Sequence, residues 1–439
     1  MEVNSEIILK SDVPQSTKLT KFIFVLFGVS SLLAWNAFLT ELDFFNCFIS
    51  IINPYKSIPF INYAPNIIIQ FLLLWKKDLF KISNQLIFGL VASIILLIAI
   101  PISIIIFESH QNLNAIIAVI FFLFMGFVNA FLCSGFFSLV SSFPFEMIVA
   151  LSAGQGVSGI ILNIIQYIIL PFAQISDDNE KNKEKQKIIA LIFFSISIVI
   201  LIVTLIFLLF SLQSEYFKYY LNGKKDEKSK NEDQARDTPA VDNQIEEDEN
   251  NDLDNYHIKK DLKMSFLGMV RLLLDIDLLI VLIYIVTFSV FPVGFQGLHL
   301  FKIDGGTSTY YLNTILLIFN TFDTVGRYLV SAIKPTKRIT YITVLTRIIL
   351  IVTIPLSYYY DKHVMNHTLV SIFIIINDIL LAVTNGIGTT LCFGLAPTLV
   401  NNELKAQAGA SVSFFIIVGI FLGSTVALFL TGHLLDTFN

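Results

Sequence analysis

Charge is scarce in this chain. Asp, Glu, Lys and Arg together supply 14% of 439 residues, where a soluble domain carries about 25%, so an ordinary water-soluble fold is excluded. Cysteine is scarcer still. Cys47, Cys133 and Cys392 are scattered through apolar sequence, with neither metal-ligand spacing nor a disulfide framework. Histidine forms no catalytic cluster: His110, His257, His299, His363 and His367 fall in loops or at the ends of apolar runs, and His433 is near the C-terminus. No basic stripe stands outside the loops, which argues against nucleic acid as a partner. No Walker-type phosphate loop occurs, so ATP is not expected to power the chain by that route. No cofactor, no metal and no enzymatic activity are expected.

Apolar sequence fills the space these absences leave. Hydrophobic residues make up 55% of the chain, with 41 phenylalanines, and the mean hydropathy is +0.74. Eleven apolar segments stand out, at about 20–41, 51–75, 84–107, 112–141, 145–173, 187–213, 267–293, 308–333, 339–358, 367–397 and 405–435. Each approaches or exceeds the ~20 residues an α-helix needs to cross a bilayer. An all-α polytopic membrane protein with eleven transmembrane helices is predicted. The first run starts too late and is too long for a cleavable signal. Pro59 and Pro65 are expected to break the second span, Pro101 the third and Pro355 the ninth, with the breaks turned toward other helices or a cavity.

One stretch differs. Residues 214–262 hold few apolar side chains, a basic run from Lys224 to Lys230 and an acidic run from Glu246 to Asp254, the composition of a disordered tether. It divides the chain into a tail (1–19), a six-helix lobe (20–213), the loop (214–262) and a five-helix lobe (263–439). Lys18 and Lys21 precede the first span; Lys76, Lys77 and Lys81 follow the second; Lys334, Lys337 and Arg338 follow the eighth. The positive-inside rule makes those ends, and the tether, cytoplasmic. An odd number of spans then puts the C-terminus outside, with the glycosylation sequon Asn366-His367-Thr368 on the same side.

The polar residues inside the spans are few enough to name. Asn320, Asp323 and Arg327 in the eighth span are spaced by three and four, so they share one helix face. A charge at mid-bilayer costs at least ~2.5–3.5 kcal/mol and usually faces a bundle interior or a wet cavity. The stripe either welds helices together or binds a solute. Trp35-Asn36 lies deep in the first span; its ring either packs helices or stacks on a flat ligand. Asn62, Asn66 and Gln70 recur every four residues in the second span. Ser152-Ala153-Gly154-Gln155-Gly156-Val157-Ser158-Gly159 in the fifth reads as a close-packing seam. Gln155 lines a cavity or bridges helices. Arg347 and Asp378, each eight to eleven residues from its helix start, are expected to pair as a structural salt bridge, with a proton site as the alternative for Asp378.

Taken in order, several stretches resemble the equilibrative nucleoside transporters. They are Leu32-Leu33-Ala34-Trp35-Asn36, Asn62-Tyr63-Ala64-Pro65-Asn66, Ser152-Ala153-Gly154-Gln155-Gly156, Phe291-Pro292, and Phe319-Asn320-Thr321-Phe322-Asp323-Thr324-Val325-Gly326-Arg327. Asn385-Gly386, Ala396-Pro397 and Ala408-Gly409-Ala410-Ser411-Val412-Ser413-Phe414-Phe415 complete the set. The resemblance covers the whole chain. It implies a fold similar to a major-facilitator transporter lacking one helix, and a central nucleoside site lined by Trp35, Asn320, Asp323 and Arg327. Such proteins also use a glutamine on the fourth span; this chain has Cys133 there, beside Ser134.

The expected function is facilitative transport of nucleosides, and of nucleobases as a further substrate class, by alternating access. The expected setting is a monomer in the plasma membrane, without nucleic acid partners. A proton-coupled symporter is the alternative. A membrane enzyme or a heptahelical receptor fits the span count and the histidine placement less well. Removing residues 225–251, within the polar tether, is expected to leave uptake and surface delivery unchanged; lost uptake at normal surface delivery would show the loop taking part in gating.

Overall fold

A computed structural model of the chain describes residues 14–52, 54–76, 79–169, 171, 179–223, 266–291, 309–363 and 367–438. The described residues are helical and contain no strand. The first half comprises α1 (Lys18–Thr40), the short α2 (Leu42–Ile49), α3 (Pro54–Trp75), α4 (Ile82–Ile106), α5 (Gln111–Val140), α6 (Phe145–Ile169), α7 (Asn179–Gln213) and the single turn α8 (Glu215–Lys218). The second half comprises α9 (Phe266–Val290), α10 (Thr309–Leu329), α11 (Lys337–Thr346), α12 (Leu350–His363), α13 (His367–Leu395) and α14 (Lys405–Phe438). Nine of the described helices are long and apolar enough to cross a membrane. The two remaining expected spans are α10, diluted by its polar residues, and the pair α11–α12. With these, the described helices are compatible with the eleven expected crossings.

Local chemistry sets the helix limits. Thr17 caps α1: its hydroxyl accepts from the Thr20 amide at 3.1 Å, and the Thr20 hydroxyl accepts from the Thr17 amide at 3.4 Å. This reciprocal arrangement satisfies two N–H groups that have no partner within the helix. The prolines act differently from expectation. Helix α3 runs unbroken through Pro59 and Pro65, and α4 runs through Pro101; α12 likewise continues through Pro355. Neighbouring helices can absorb the freed backbone groups at such positions, and Pro101 is buried among them. The ninth span is interrupted instead at Arg347–Ile349, a 3-10 turn between α11 and α12.

The tether also begins later than its composition predicts. Ser214 caps α8, and Tyr216 and Phe217 are buried. Phe217 stacks on Phe24, with ring centroids 5.5 Å apart, and packs on Phe143 at 4.9 Å. Two aromatic side chains are enough to dock this turn against α1 and the α5–α6 corner, despite the polar residues around them. The expectation for 224–262, Pro292 of one matching stretch and Asn366 of the sequon lie outside the described residues.

The packing repeats itself. In the first half α1 pairs with α6 and α3 with α5; in the second, α9 pairs with α14 and α10 with α13. The halves meet where α6 packs on α10 and α3 on α14. These two pairings in one half thus have their counterparts in the other, as in two-lobed carriers built from repeated units, while the packing of α7 on α4 and α1 has none among the described residues. The α1–α6 pair shows why this needs glycine. A Cβ on Gly28 would lie 2.0 Å from the Leu151 carbonyl oxygen, and one on Gly154 would lie 2.0 Å from that of Val25. The two backbones touch, and only the missing side chains allow it. Gly154→Val is therefore expected to force the helices apart, at a cost above the ~1–3 kcal/mol typical of overpacking because the obstacle is backbone. Thermal unfolding followed by size-exclusion of the detergent-solubilised protein checks this, and a wild-type midpoint would refute the close approach.

Candidate functional site

The most polar stretch of α10 faces two neighbours at once. Asp323 and Arg327 are 3% and 5% exposed, and Arg327 Nε donates to Asp323 Oδ2 at 2.7 Å. Neither ion is left to its partner alone. Asn385 Nδ2 on α13 donates to Asp323 Oδ1 at 2.8 Å, so both carboxylate oxygens accept. Arg327 Nη1 reaches α6, donating to the Ser152 carbonyl at 3.2 Å, the Ser152 hydroxyl at 3.1 Å and Gln155 Oε1 at 3.0 Å. A buried ion pair holds only when its remaining donors and acceptors are also satisfied. Glycine again supplies the approach: a Cβ on Gly386 would stand 2.1 Å from the Asp323 carbonyl oxygen. Helices α10 and α13 thus lie close enough for Asn385 to reach the carboxylate.

The network continues into the first half. Gln155 Nε2 donates to Ser31 Oγ at 3.2 Å, and Cys133 Sγ to the Ser31 carbonyl at 3.6 Å. Cys133 is therefore linked to the ion pair through Ser31 and Gln155. Ser134, beside it, is buried. Trp35 lies one helical turn from Ser31, 7% exposed, edge-on to Tyr63 with centroids 5.8 Å apart and planes at 62°. Asn36 donates to Ser158 Oγ at 3.3 Å, joining α1 to α6. The Ser152 hydroxyl also bonds Thr390 at 2.7 Å.

The expected stripe on α10 divides. Asn320 meets α6 at another level, two turns from Arg327, where its amide donates to Asn163 Oδ1 at 2.8 Å. Asn163 Nδ2 donates to Asn313 Oδ1 at 2.6 Å, Asn313 Nδ2 returns to the Asn163 carbonyl at 3.2 Å, and Tyr167 bonds Thr314. These amides bind the two halves together beside the ion pair, not within it.

Arg347 and Asp378 do not pair. Arg347 Nη1 donates to the Leu381 carbonyl at 3.2 Å and to Thr384 Oγ1 at 2.9 Å, while both Asp378 carboxyl oxygens are buried without a hydrogen-bond partner. The expected pairing counts each residue from its own helix start. In antiparallel helices those starts lie at opposite faces. Counted from the end they share, Arg347, just past α11, comes level with Asn385 of α13, which is where its side chain reaches.

Ser152, Thr287 and Asn385 belong to this network without being among the expected site residues. Ser152 was masked by the small residues around it. The Asn385-Gly386 pair was the usable signal: a polar side chain beside a glycine marks a close backbone approach. Among the described residues no group of three or more His, Cys, Asp or Glu side chains could hold a metal. An apolar groove of about 370 Å³, lined by Asn84, Ile87, Phe88, Val91, Ala92 and Ile95, lies on the outer face of α4 and includes no residue of the network.

Helices crossing a membrane in two related lobes, joined by a buried polar network, define an integral membrane carrier of the major facilitator fold. Solved structures of that fold resemble it over nearly its full length. The proton:xylose symporter XylE bound to 6-bromo-6-deoxy-D-glucose gives a TM-score of 0.65 at 13% identity, over 95% of this chain and 90% of that one. The E. coli fucose:proton symporter FucP gives 0.54 at 13% identity, over 95% and 90%. The sequence model of the nucleoside transporter family matches residues 115–431, and the chain belongs to that family. Two relatives from Arabidopsis thaliana bear the names equilibrative nucleotide transporter 7 and equilibrative nucleotide transporter 1. The first is 24% identical, over 94% of this chain and 95% of its own length; the second is 23% identical, over 93% and 85%.

Asp323→Asn keeps the shape but turns an NH2 group toward either Arg327 Nε or Asn385 Nδ2, each already a donor. Breaking a buried pair in this way costs ~3–5 kcal/mol. Uptake of the transported solute is expected to fall by more than tenfold, with surface delivery partly kept. Full uptake by this variant would remove Asp323 from the site.

Proposed function

We propose that the protein is a facilitative carrier of nucleosides, with nucleobases as a second substrate class, working by alternating access. The observation that carries this reading is the Asp323–Arg327 pair, buried at the meeting of the two halves and bonded to both. A nucleoside is neutral and flat at one end, with ring acceptors and a ribose diol. Arginine offers a planar fork of donors, and a carboxylate accepts from hydroxyl or ring N–H groups. In this reading Asp323 and Arg327 engage the polar edge of the solute and Trp35 meets the base. Asn320 closes the site on the α6 side. Cys133 and Ser134 stand where the family has glutamine, a less polar surface for the base.

The two plant relatives are named for nucleotides. The charge here favours the uncharged solute: Asp323 already neutralises Arg327 at 2.7 Å, which leaves little to balance a phosphate dianion. The positive-inside pattern supports an N-terminus in the cytoplasm and a C-terminus outside, and we assign the carrier to the plasma membrane as a monomer. The deciding experiment is uptake of labelled adenosine and inosine into transport-deficient cells, with AMP as competitor, at pH 5.5 and 7.5, with and without a protonophore. Saturable nucleoside uptake that stops at equilibrium, ignores the protonophore and is poorly inhibited by AMP is expected. Protonophore-sensitive accumulation above equilibrium would overturn the facilitative reading, and strong competition by AMP would overturn the preference for nucleosides.

A further inference from the structure

A second buried arginine lies behind the ion pair. Arg347 is 1% exposed, sits in the 3-10 turn between α11 and α12, and makes no ion pair. Its partners are all neutral. Nη1 donates to Thr384 Oγ1 and the Leu381 carbonyl; Nη2 donates to Thr287 Oγ1 at 2.5 Å and to Asn385 Oδ1 at 3.5 Å. Its Nε has no partner. Thr287 Oγ1 in turn shares its one proton between Asn385 Oδ1 at 2.8 Å and the Ile283 carbonyl at 2.9 Å, and Asn385 Nδ2 donates to Asp323 Oδ1. An unbroken line of hydrogen bonds thus runs from Arg347 through Thr287 and Asn385 to Asp323. Burying a guanidinium is costly, and an apolar side chain of similar size would serve packing better.

We propose that Arg347 is a positioning residue for Asp323. The reason lies in the chemistry of the amide between them. Asparagine has one end that accepts and one that donates. Arg347 and Thr287 both present donors, so they hold the Asn385 oxygen on their side. The Asn385 NH2 must then face Asp323. Without the cation the Asn385 oxygen keeps only the proton that Thr287 shares with the Ile283 carbonyl, and the amide is held less firmly. Its NH2 would then shift with respect to Asp323 Oδ1, and the carboxylate would rotate about the bond to Arg327. Arg347 therefore sets the direction in which Asp323 offers an oxygen to the solute, across two intervening side chains and without touching the solute. The transport consequence rests on the reading that Asp323 accepts from a solute hydroxyl; the orientation of Asp323 in the empty protein does not.

Two measurements on the full-length protein and its variants, one purified and one in cells, separate these layers. Infrared difference spectra between the native protein and Asp323→Asn isolate the Asp323 carboxylate stretch, with no solute present. Arg347→Met is expected to shift that band, Arg347→Lys to restore it in part, and Thr287→Val to shift it in the same direction. In cells, Arg347→Met is expected to raise the KM for adenosine roughly tenfold, the scale of one lost bond to a charged group, while the maximal rate per surface molecule changes far less. Discrimination between a nucleoside and its 3′-deoxy analogue should fall toward unity. An Asp323 band that stays put in both Arg347→Met and Thr287→Val would overturn the proposal, as would a loss of thermal stability alone with KM and the deoxy preference unchanged. If Arg347→Met fails to fold, Thr287→Val and Arg347→Lys decide alone. If the native protein takes up no nucleoside, the transport reading fails while the infrared result still rules on Arg347.

Discussion

A guanidinium and a carboxylate held out of water must find every hydrogen-bond partner within the protein, and the centre of this carrier is arranged around that demand. Arg327 and Asp323 lie four residues apart on one helix, yet the groups that complete them come from α6 and α13. To reach the pair, α13 must touch α10, hence Gly386; to hold α6 in place, α1 must touch α6, hence Gly28 and Gly154. The glycine seams and the ion pair are two aspects of one constraint. Charges in a low-dielectric interior tolerate little displacement of the groups that solvate them.

The direction of each bond matters for movement. Asp323, Asn385, Thr287 and Arg347 all belong to the second half of the chain, so their bonds can travel with it as a body. The bonds from Arg327 to Ser152 and Gln155 cross between the halves. So do the amide cluster of Asn163, Asn313 and Asn320, the hydroxyl pair of Ser152 and Thr390, and the bond from Ser413 Oγ to Gln70 Oε1 at 2.8 Å. A rocking motion of one lobe against the other has to exchange bonds of the second kind and can leave the first intact. Arg327 is the residue shared by both sets. In the proposed reading, a solute that offers it new acceptors would take the place of groups on α6, and occupancy of the site would then be tied to the seam between the halves.

Much of this was visible in the order of residues. Charge too sparse for a soluble fold, eleven apolar runs and the i,i+4 spacing of Asp323 and Arg327 follow from composition and helical period, which are local properties. The ordered motifs added the family. Local properties also misled. Prolines that weaken an isolated helix lie inside α3, α4 and α12 without ending them. Two aromatic residues docked a turn that its polar neighbours had marked as loop.

The sequence by itself determined which side chains had to be taken out of lipid, because an apolar helix carrying a carboxylate, a guanidinium and an amide on one face cannot present that face to hydrocarbon. Only the tertiary structure decided who meets whom. It gave Arg347 to Thr287 and Asn385 instead of to Asp378, sent Asn320 to Asn163, and brought Ser152 and Gln155 to Arg327. Partnership between helices depends on their relative depth and rotation. Those are set by where backbones can approach across glycine, a condition that no spacing along a single helix records.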